Sequence, residues 1–369
     1  MARYCLTISL AVFLLSCAEK PSPQAILEQA KTMMAARQTI HHTSVYHWEN
    51  ALDEMDTFQY DLQFLKKDNE YFDYDYIAKG AHYDVIYIND EFKIINHRDS
   101  TVEVFPPSRL ENNIDRIRNT MALAFNPVLL LQQDHWTYLR DTTVDGAVYH
   151  DYYEVEMDTV IDGKKIHLQR HLFINPATKT PAFFSNRLYH NGSRSQLINA
   201  YFADYDFGDA QEALTYLPPR NYLSISGKDK NQDKRMMLKA GDMAPDFELS
   251  TLDGKSFKLS DMRGQKVLLD FSMINCGWCN IALEHFTRQD FRFRPDIKPI
   301  YINPVDPEED VKKYQSLKNI PFPIIAGAET VGKAYGVSGY PSFFLIDEKG
   351  IIEKAFAGYD RALVMEWGQ

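Results

Sequence analysis

The rhythm of apolar and polar positions changes several times along this chain. Residues 24–37 place Ile26, Ala30, Met33 and Met34 on one side of a helix. From 58 to 105 the period shortens to two: runs such as Tyr71-Phe72-Asp73-Tyr74-Asp75-Tyr76-Ile77 alternate and are broken by polar turns, which predicts a strand meander. Pro106-Pro107-Ser108 ends it. Helical spacing returns over 109–133 through Leu110, Ile114, Ile117 and Met121, and Pro127 must kink or divide that segment, because proline lacks an N–H and crowds the preceding turn. Alternation resumes over 149–161, 165–174 and 183–189, with turns at Asp162-Gly163 and His190-Asn191-Gly192-Ser193.

A charged stretch without large apolar residues, 227–235, then separates two patterned regions and marks a boundary between folded units. Beyond it the predicted order is strand, helix, strand, helix, strand, strand, helix. Val267-Leu268-Leu269-Asp270-Phe271 is an apolar run with one acid, as expected of a central strand covered on both faces. Cys279, Ala282, Leu283 and Phe286 follow at helical spacing. Residues 297–302 read as a strand. Asp306-Pro307-Glu308-Glu309 reads as an N-cap with proline in the first turn and an acid to complete a capping box, opening a helix over 308–317. Strands over 323–326 and 342–347, a hairpin turn at Glu348-Lys349-Gly350 into 351–356, and a short helix from Asp360 complete the series.

Length and composition sharpen this picture. A chain of 369 residues exceeds the usual size of one domain, and 45% hydrophobic with 25% charged residues is a globular balance. The formal charge of −11 disfavours nucleic acid, whose phosphates would repel it. The N-terminus departs from that average. Arg3 precedes an apolar run over 5–15 that is too short to span a bilayer and fits a secretory signal.

Leu14-Leu15-Ser16-Cys17 resembles the bacterial lipobox, which implies that Cys17 is acylated and becomes the first residue of the mature protein. Several acyl chains anchor stably, where one myristoyl chain, at about 0.8 kcal/mol per buried CH₂, is marginal. The expected organisation is a lipoprotein signal over 1–16, a tether over 17–23, a β-rich domain over 24–225, a linker over 226–237 and an α/β domain over 238–369.

Of four cysteines, Cys5 leaves with the signal and Cys17 carries lipid, which leaves Cys276-Gly277-Trp278-Cys279. One pair two residues apart is a poor structural staple, since so short a loop constrains little chain entropy. No further cysteine completes a four-thiolate zinc site, and the histidines lack metal-binding spacing, so neither metal nor cofactor is expected. The pair sits where a strand turns into a helix. Unpaired N–H groups and the positive helix end stabilise a thiolate at Cys276 and make it the nucleophile. Cys279, one turn in, can resolve the mixed disulfide.

Together with Ala244-Pro245-Asp246-Phe247, Leu252-Asp253-Gly254-Lys255, Leu259-Ser260-Asp261 and Tyr340-Pro341, the cysteine pair resembles the TlpA/ResA branch of the thioredoxin superfamily over residues 238–369. The resemblance implies a thioredoxin fold, a disulfide-reductase activity, and a cis proline at Pro341 that shapes, with Tyr340, the groove for substrate backbone. Asn275 and Trp278 replace the tryptophan and proline common in that family, which leaves the redox potential open. Ala282 stands where many relatives have glutamate. Asp270 matches instead the buried acid of ordinary thioredoxins, and a carboxyl in an apolar strand has a raised pKa suited to moving the Cys279 proton. The alternative for Asp270 is a hydrogen-bonded core acid. Trp278 either contacts substrate or packs locally.

Gly327-Ala328-Glu329-Thr330-Val331-Gly332-Lys333 has phosphate-loop spacing, but Ala334 cannot bind Mg²⁺, and the motif is rejected. The C-x-x-C spacing likewise favours dithiol exchange over a single-cysteine peroxidase. The N-terminal elements resemble LolA-type lipoprotein carriers, an unclosed half-barrel with helices, although an unrelated curved sheet has the same order.

The resulting expectation is a membrane-anchored, periplasm-facing thiol-disulfide oxidoreductase. Its partners are exported protein disulfides, a membrane-bound thiol electron donor, and the outer or inner membrane through the lipid anchor, with no nucleic acid. The rival is a lipid- or lipoprotein-binding protein whose thioredoxin unit is a scaffold or redox switch. Mass spectrometry of the mature protein is expected to find an acylated N-terminal Cys17; an intact Met1 rejects the lipoprotein assignment.

Overall fold

The computed structural model describes residues 21–69, 71–161, 163–209, 213–227 and 236–369. The predicted signal, Cys5 and Cys17, Asp162 of the expected turn, and residues 228–235 of the expected linker lie outside the described residues. Helix α1 (Pro23–Ala35) starts from Ser22, whose side chain accepts the Ala25 N–H, and buries Ile26, Leu27, Ala30 and Met34. Strands β1 (Thr39–Glu49), β2 (Met55–Lys66), β3 (Tyr74–Gly80), β4 (Tyr83–Ile88), β5 (Glu91–Asn96) and β6 (Thr101–Phe105) follow as a meander. Short helices α2 (Pro107–Leu110), α3 (Ile114–Arg118), α4 (Met121–Ala124) and α5 (Pro127–Leu131) interrupt it. Then come β7 (Thr137–Val144), β8 (Ala147–Ile161), β9 (Lys164–Ile174), β10 (Pro181–His190), β11 (Ser193–Gly208) and β12 (Leu223–Ser226).

These strands form one sheet of twelve, in the order β12-β6-β5-β4-β3-β2-β1-β11-β10-β9-β8-β7. The end strands pair with different neighbours, so the sheet is unclosed. One face is covered by α1 and the interrupting helices: Leu27, Ala30, Leu110, Ile117 and Leu130 pack with Tyr46, Leu62, Phe64, Tyr76, Phe92 and Phe184 in one aromatic-rich core. At the far end Ile77, Ile86, Ile95 and Val102 form a smaller cluster, against which Leu214, Tyr216 and Tyr222 pack.

The meander begins earlier than its alternation predicts. On β1 the inward positions include His42 and Ser44, both fully buried, and their polarity masks the period of two. His42 stacks on Phe64 and lies 3.3 Å from the Ser44 hydroxyl. Burial lowers its pKa to about 4, so the ring stays neutral. The region 109–133 is several short helices rather than one kinked helix. Pro127 opens a new one, and the Asn126 side chain caps it by accepting the Val128 N–H at 2.9 Å.

The C-terminal unit has a small hairpin, β13 (Glu248–Ser250) with β14 (Ser256–Lys258), then β15 (Lys266–Phe271), α6 (Gly277–Phe286), β16 (Ile297–Ile302), α7 (Glu308–Lys318), β17 (Ile324–Ile325), α8 (Glu329–Ala334), β18 (Ser342–Ile346), β19 (Ile352–Ala357) and α9 (Arg361–Met365). Its sheet order is β17-β16-β15-β18-β19, with β15, β16 and β17 parallel and β18 and β19 antiparallel, which is the thioredoxin fold. Helix α8, formed within the rejected phosphate-loop motif, is absent from the expected order. The expected capping box is also corrected. Pro307 occupies the N-cap of α7 without a side-chain bond, because the Asp306 carboxylate is engaged by the Ile274 N–H at 2.8 Å and the Asn303 amide at 2.8 Å.

The two sheets meet through named side chains. Leu52, from the β1–β2 turn, is buried in the cluster that holds Leu268, Ile274, Ala282 and Leu283 of the C-terminal unit. Ser226 ends β12 and Met237 packs against the other C-terminal core, so both edges of the expected linker belong to structured segments. Leu62 at the centre of β2 is fully buried, whereas Met55 on the same strand is 48% exposed. Leu62→Ala is expected to cost about 2–5 kcal/mol in denaturant melts, and Met55→Ala within about 0.5 kcal/mol.

Candidate functional site

Strand β15 delivers the site. Val267, Leu269 and Phe271 point into the core beneath β13 and β14, whereas Leu268 faces the cluster built with α6. Asp270 shares the parity of Leu268 and therefore faces α6, the helix that carries Cys279. The chain then leaves the sheet through Ser272 and Asn275 and enters α6 with Cys276 as its N-cap. Cys276 Sγ accepts the Cys279 N–H at 3.1 Å, so the sulfur takes the place usually held by a capping oxygen.

Cys276 and Cys279 are joined as a disulfide, with sulfurs 2.10 Å and Cα atoms 5.2 Å apart. Cys276 is half-buried and Cys279 only 2% exposed. An incoming thiol or disulfide therefore meets the first sulfur and finds the second shielded. Negative charge on Cys276 would be met by the N–H of Cys279 and by the positive end of a ten-residue helix.

Asp270 is buried on the side of β15 that faces α6, and desolvation raises its pKa to about 7 against the lowering effect of the Ser272 hydroxyl, which donates at 2.5 Å. Its Oδ2 has no hydrogen-bond partner among the described residues. Asn280, next to Cys279, accepts a hydrogen bond from the Tyr314 hydroxyl of α7. The peptide Tyr340–Pro341 is cis, as the sequence resemblance implied. Ser342 pairs with Phe271, which places Pro341 at the end of the sheet where β15 releases the cysteine loop. Tyr340 is half-buried against the adjoining core. Trp278 is 46% exposed and lines a groove of about 560 Å³ with Ile161, Tyr359 and Met365.

Comparison with known proteins gives a concordant result for the same region. A family model described as AhpC/TSA matches residues 240–355. Thioredoxin-like protein YneN of Bacillus subtilis is 28% identical over 128 residues, which make up 34% of this chain and 75% of YneN. Thiol-disulfide oxidoreductase ResA of Geobacillus thermodenitrificans is 30% identical over 135 residues, covering 34% of this chain and 73% of that protein. The chain belongs to the ResA family of thiol-disulfide oxidoreductases. Among solved structures, StoA from Bacillus subtilis is 24% identical, with 34% of this chain and 96% of that one covered and a TM-score of 0.30.

In this ResA-family chain the structure gathers Cys276, Cys279 and Asp270 at one end of the sheet, with Pro341 at the neighbouring strand start. Among the described residues no group of His, Cys, Asp and Glu could hold a metal ion, and no helix is long and apolar enough to cross a membrane. Roles that pattern reasoning missed are those of Asp306, which accepts the Ile274 N–H, of Asn303, whose amide donates to Asp306, and of Ala51, whose N–H donates to Asn275 Oδ1 at 2.9 Å. Asn303 carries no local signal beyond a turn, Asp306 carries the signal of a helix cap instead, and Ala51 lies 224 residues from its partner.

The raised pKa of Asp270 fixes a sign. The folded chain keeps a proton there that the unfolded chain releases near pH 4, so stability falls as pH rises from about 4 to about 7 and levels off above. Asp270→Asn removes this loss. Thermal melts are expected to show the variant's advantage widening between pH 5 and pH 7 and constant beyond pH 8; a pH-independent difference rejects the buried acid.

Proposed function

We propose that this oxidoreductase works as a dithiol exchanger through Cys276 and Cys279, with Asp270 as the proton acceptor. The observation that carries the reading is the half-exposed Cys276 sulfur at the N-cap of α6, against the Cys279 N–H and within bonding reach of a buried second sulfur. In the reducing direction the Cys276 thiolate attacks a substrate disulfide and expels one substrate thiolate, which takes up a proton from water. Cys279 then gives its proton to Asp270, attacks Cys276 Sγ and releases the second substrate thiolate, leaving the enzyme disulfide seen here. A thiol donor must return two electrons for each turnover.

The substrates that fit are disulfides of exported proteins, taken between Trp278 and the Tyr340-Pro341 turn. The lipobox-like Leu14-Leu15-Ser16-Cys17 supports anchoring to a bacterial envelope membrane facing the periplasm, with a membrane-bound thiol as donor. The rival lipid-binding reading calls for an apolar cavity. A cavity of about 670 Å³ on the helix-covered side has a mixed lining, with Asp73, Arg118 and Arg170 beside Phe72, Phe125 and Leu129, so it is not the purely apolar enclosure that an acyl chain favours.

Insulin reduction tests the assignment. Wild type is expected to be active and Cys276→Ala to lose at least about a hundredfold, since among the described residues the remaining thiol, Cys279, is buried. Asp270→Asn is expected to lose the rise in rate through about pH 7. Equal activity of wild type and Cys276→Ala sinks the dithiol mechanism.

A further inference from the structure

The segment carrying Cys276 is gripped from outside its own fold. In the β1–β2 turn, Asn50 Oδ1 accepts the N–H groups of Leu52 at 2.9 Å and Glu54 at 3.0 Å, and Asp53 adopts a left-handed φ of 59°. This preformed loop points two groups at the redox motif. The Ala51 N–H donates to Asn275 Oδ1 at 2.9 Å, one residue before the nucleophile. The Leu52 side chain is 7% exposed and sits in the cluster with Ile274, before the motif, and with Ala282 and Leu283 on α6. A second hairpin reaches the other end: Lys164 of β9 pairs with Glu284 on α6, and Ile161 of β8 lines the groove shared with Trp278. Glu54 pairs with Lys313 of α7, beside the same turn.

We infer that the β1–β2 turn is a positioning part of the redox site: Ala51 and Leu52 hold the loop over 272–276 so that Cys276 Sγ stays against the Cys279 N–H. This inference rests on the dithiol reading. The loop is braced from the inside by Asp306 on the Ile274 N–H and from the outside by Ala51 on Asn275, and Leu52 shields the apolar wall between them. Interactions of a sulfur with a helix end fade with small displacements, so loosening the outer brace withdraws stabilisation from the thiolate. Its pKa then rises. The reduced form is the one that gains from thiolate stabilisation, so the same loosening moves the equilibrium towards the disulfide.

The test uses the full chain with Leu52→Ser, Leu52→Met, Asn275→Ala and the Leu52→Ser/Asn275→Ala pair, none of which adds charge. The pH dependence of alkylation at Cys276 is followed by peptide mass spectrometry, the dithiol–disulfide equilibrium is measured against glutathione, and circular dichroism monitors folding. Leu52→Ser and Asn275→Ala are each expected to raise the alkylation midpoint and to shift the equilibrium towards disulfide by about threefold. Leu52→Met, which refills the same space, is expected to behave as wild type. Because both act through one brace, the double variant is expected to match either single one. A folded Leu52→Ser protein with the wild-type profile, or an Asn275→Ala effect of equal size in both backgrounds, overturns the inference. Insulin reduction by wild type reports separately: its absence rejects the dithiol reading, while shifted alkylation profiles still support the brace.

Discussion

Negative charge on a sulfur at the opening of α6 is stabilised while the N–H of Cys279 stays pointed at it, and the packing of the C-terminal unit keeps that alignment. Strand β15 is covered on both faces, so its end is fixed by Leu268, Leu269 and Phe271 in two separate cores. The loop that follows has little regular structure of its own. It is tied instead to Asp306, itself held by the Asn303 amide, on one side and to Ala51 on the other. Helix α6 buries Ala282, Leu283 and Phe286 against the same cluster, which fixes the direction of its N–H groups. The charge-stabilising contact is thus the end point of a packing arrangement that spans both sheets.

Asp270 adds a second constraint from the same strand. An ionised carboxylate there would lack solvent and has one hydroxyl partner, so burial keeps it near half-protonated around pH 7. The same burial that costs folding stability above pH 7 is what gives the proposed proton acceptor its raised pKa. Nearby tyrosines on β16 and α7, Tyr301 and Tyr314, have pKa values raised by burial and stay neutral, so they add polarity without competing charge.

The N-terminal sheet shows how far patterning carries. The aromatic alternation in 71–77 marks a buried strand, and Tyr74, Tyr76 and Ile77 are buried in β3. The same logic passes over β1, because its inward positions are occupied in part by His42 and Ser44, whose polarity is met by each other and, at the far ring nitrogen of His42, by the distant Asn126. The interrupted region 109–133 was marked by Pro127, yet its division into several helices depended on how each turn packs against the sheet. Asp306 illustrates the opposite failure: its sequence context is that of a helix cap, and a tertiary partner, the Ile274 N–H, outbid the local one.

By itself the sequence determined most of the order of elements, the cysteine pair at a strand-to-helix junction and the acid within the central strand, because each is written in residues close together and in periods of two or 3.6, while the cis-prolyl turn was implied by family resemblance. Tertiary structure alone decided which faces meet. That Asp270 shares a face with α6 follows from the parity of a strand once its sheet is formed. That Ala51 and Leu52 reach the residue before Cys276 depends on a turn 224 residues away being brought there by two independent sheets. Local propensity carries no record of such a contact, since its free energy arises only when distant surfaces exclude water together.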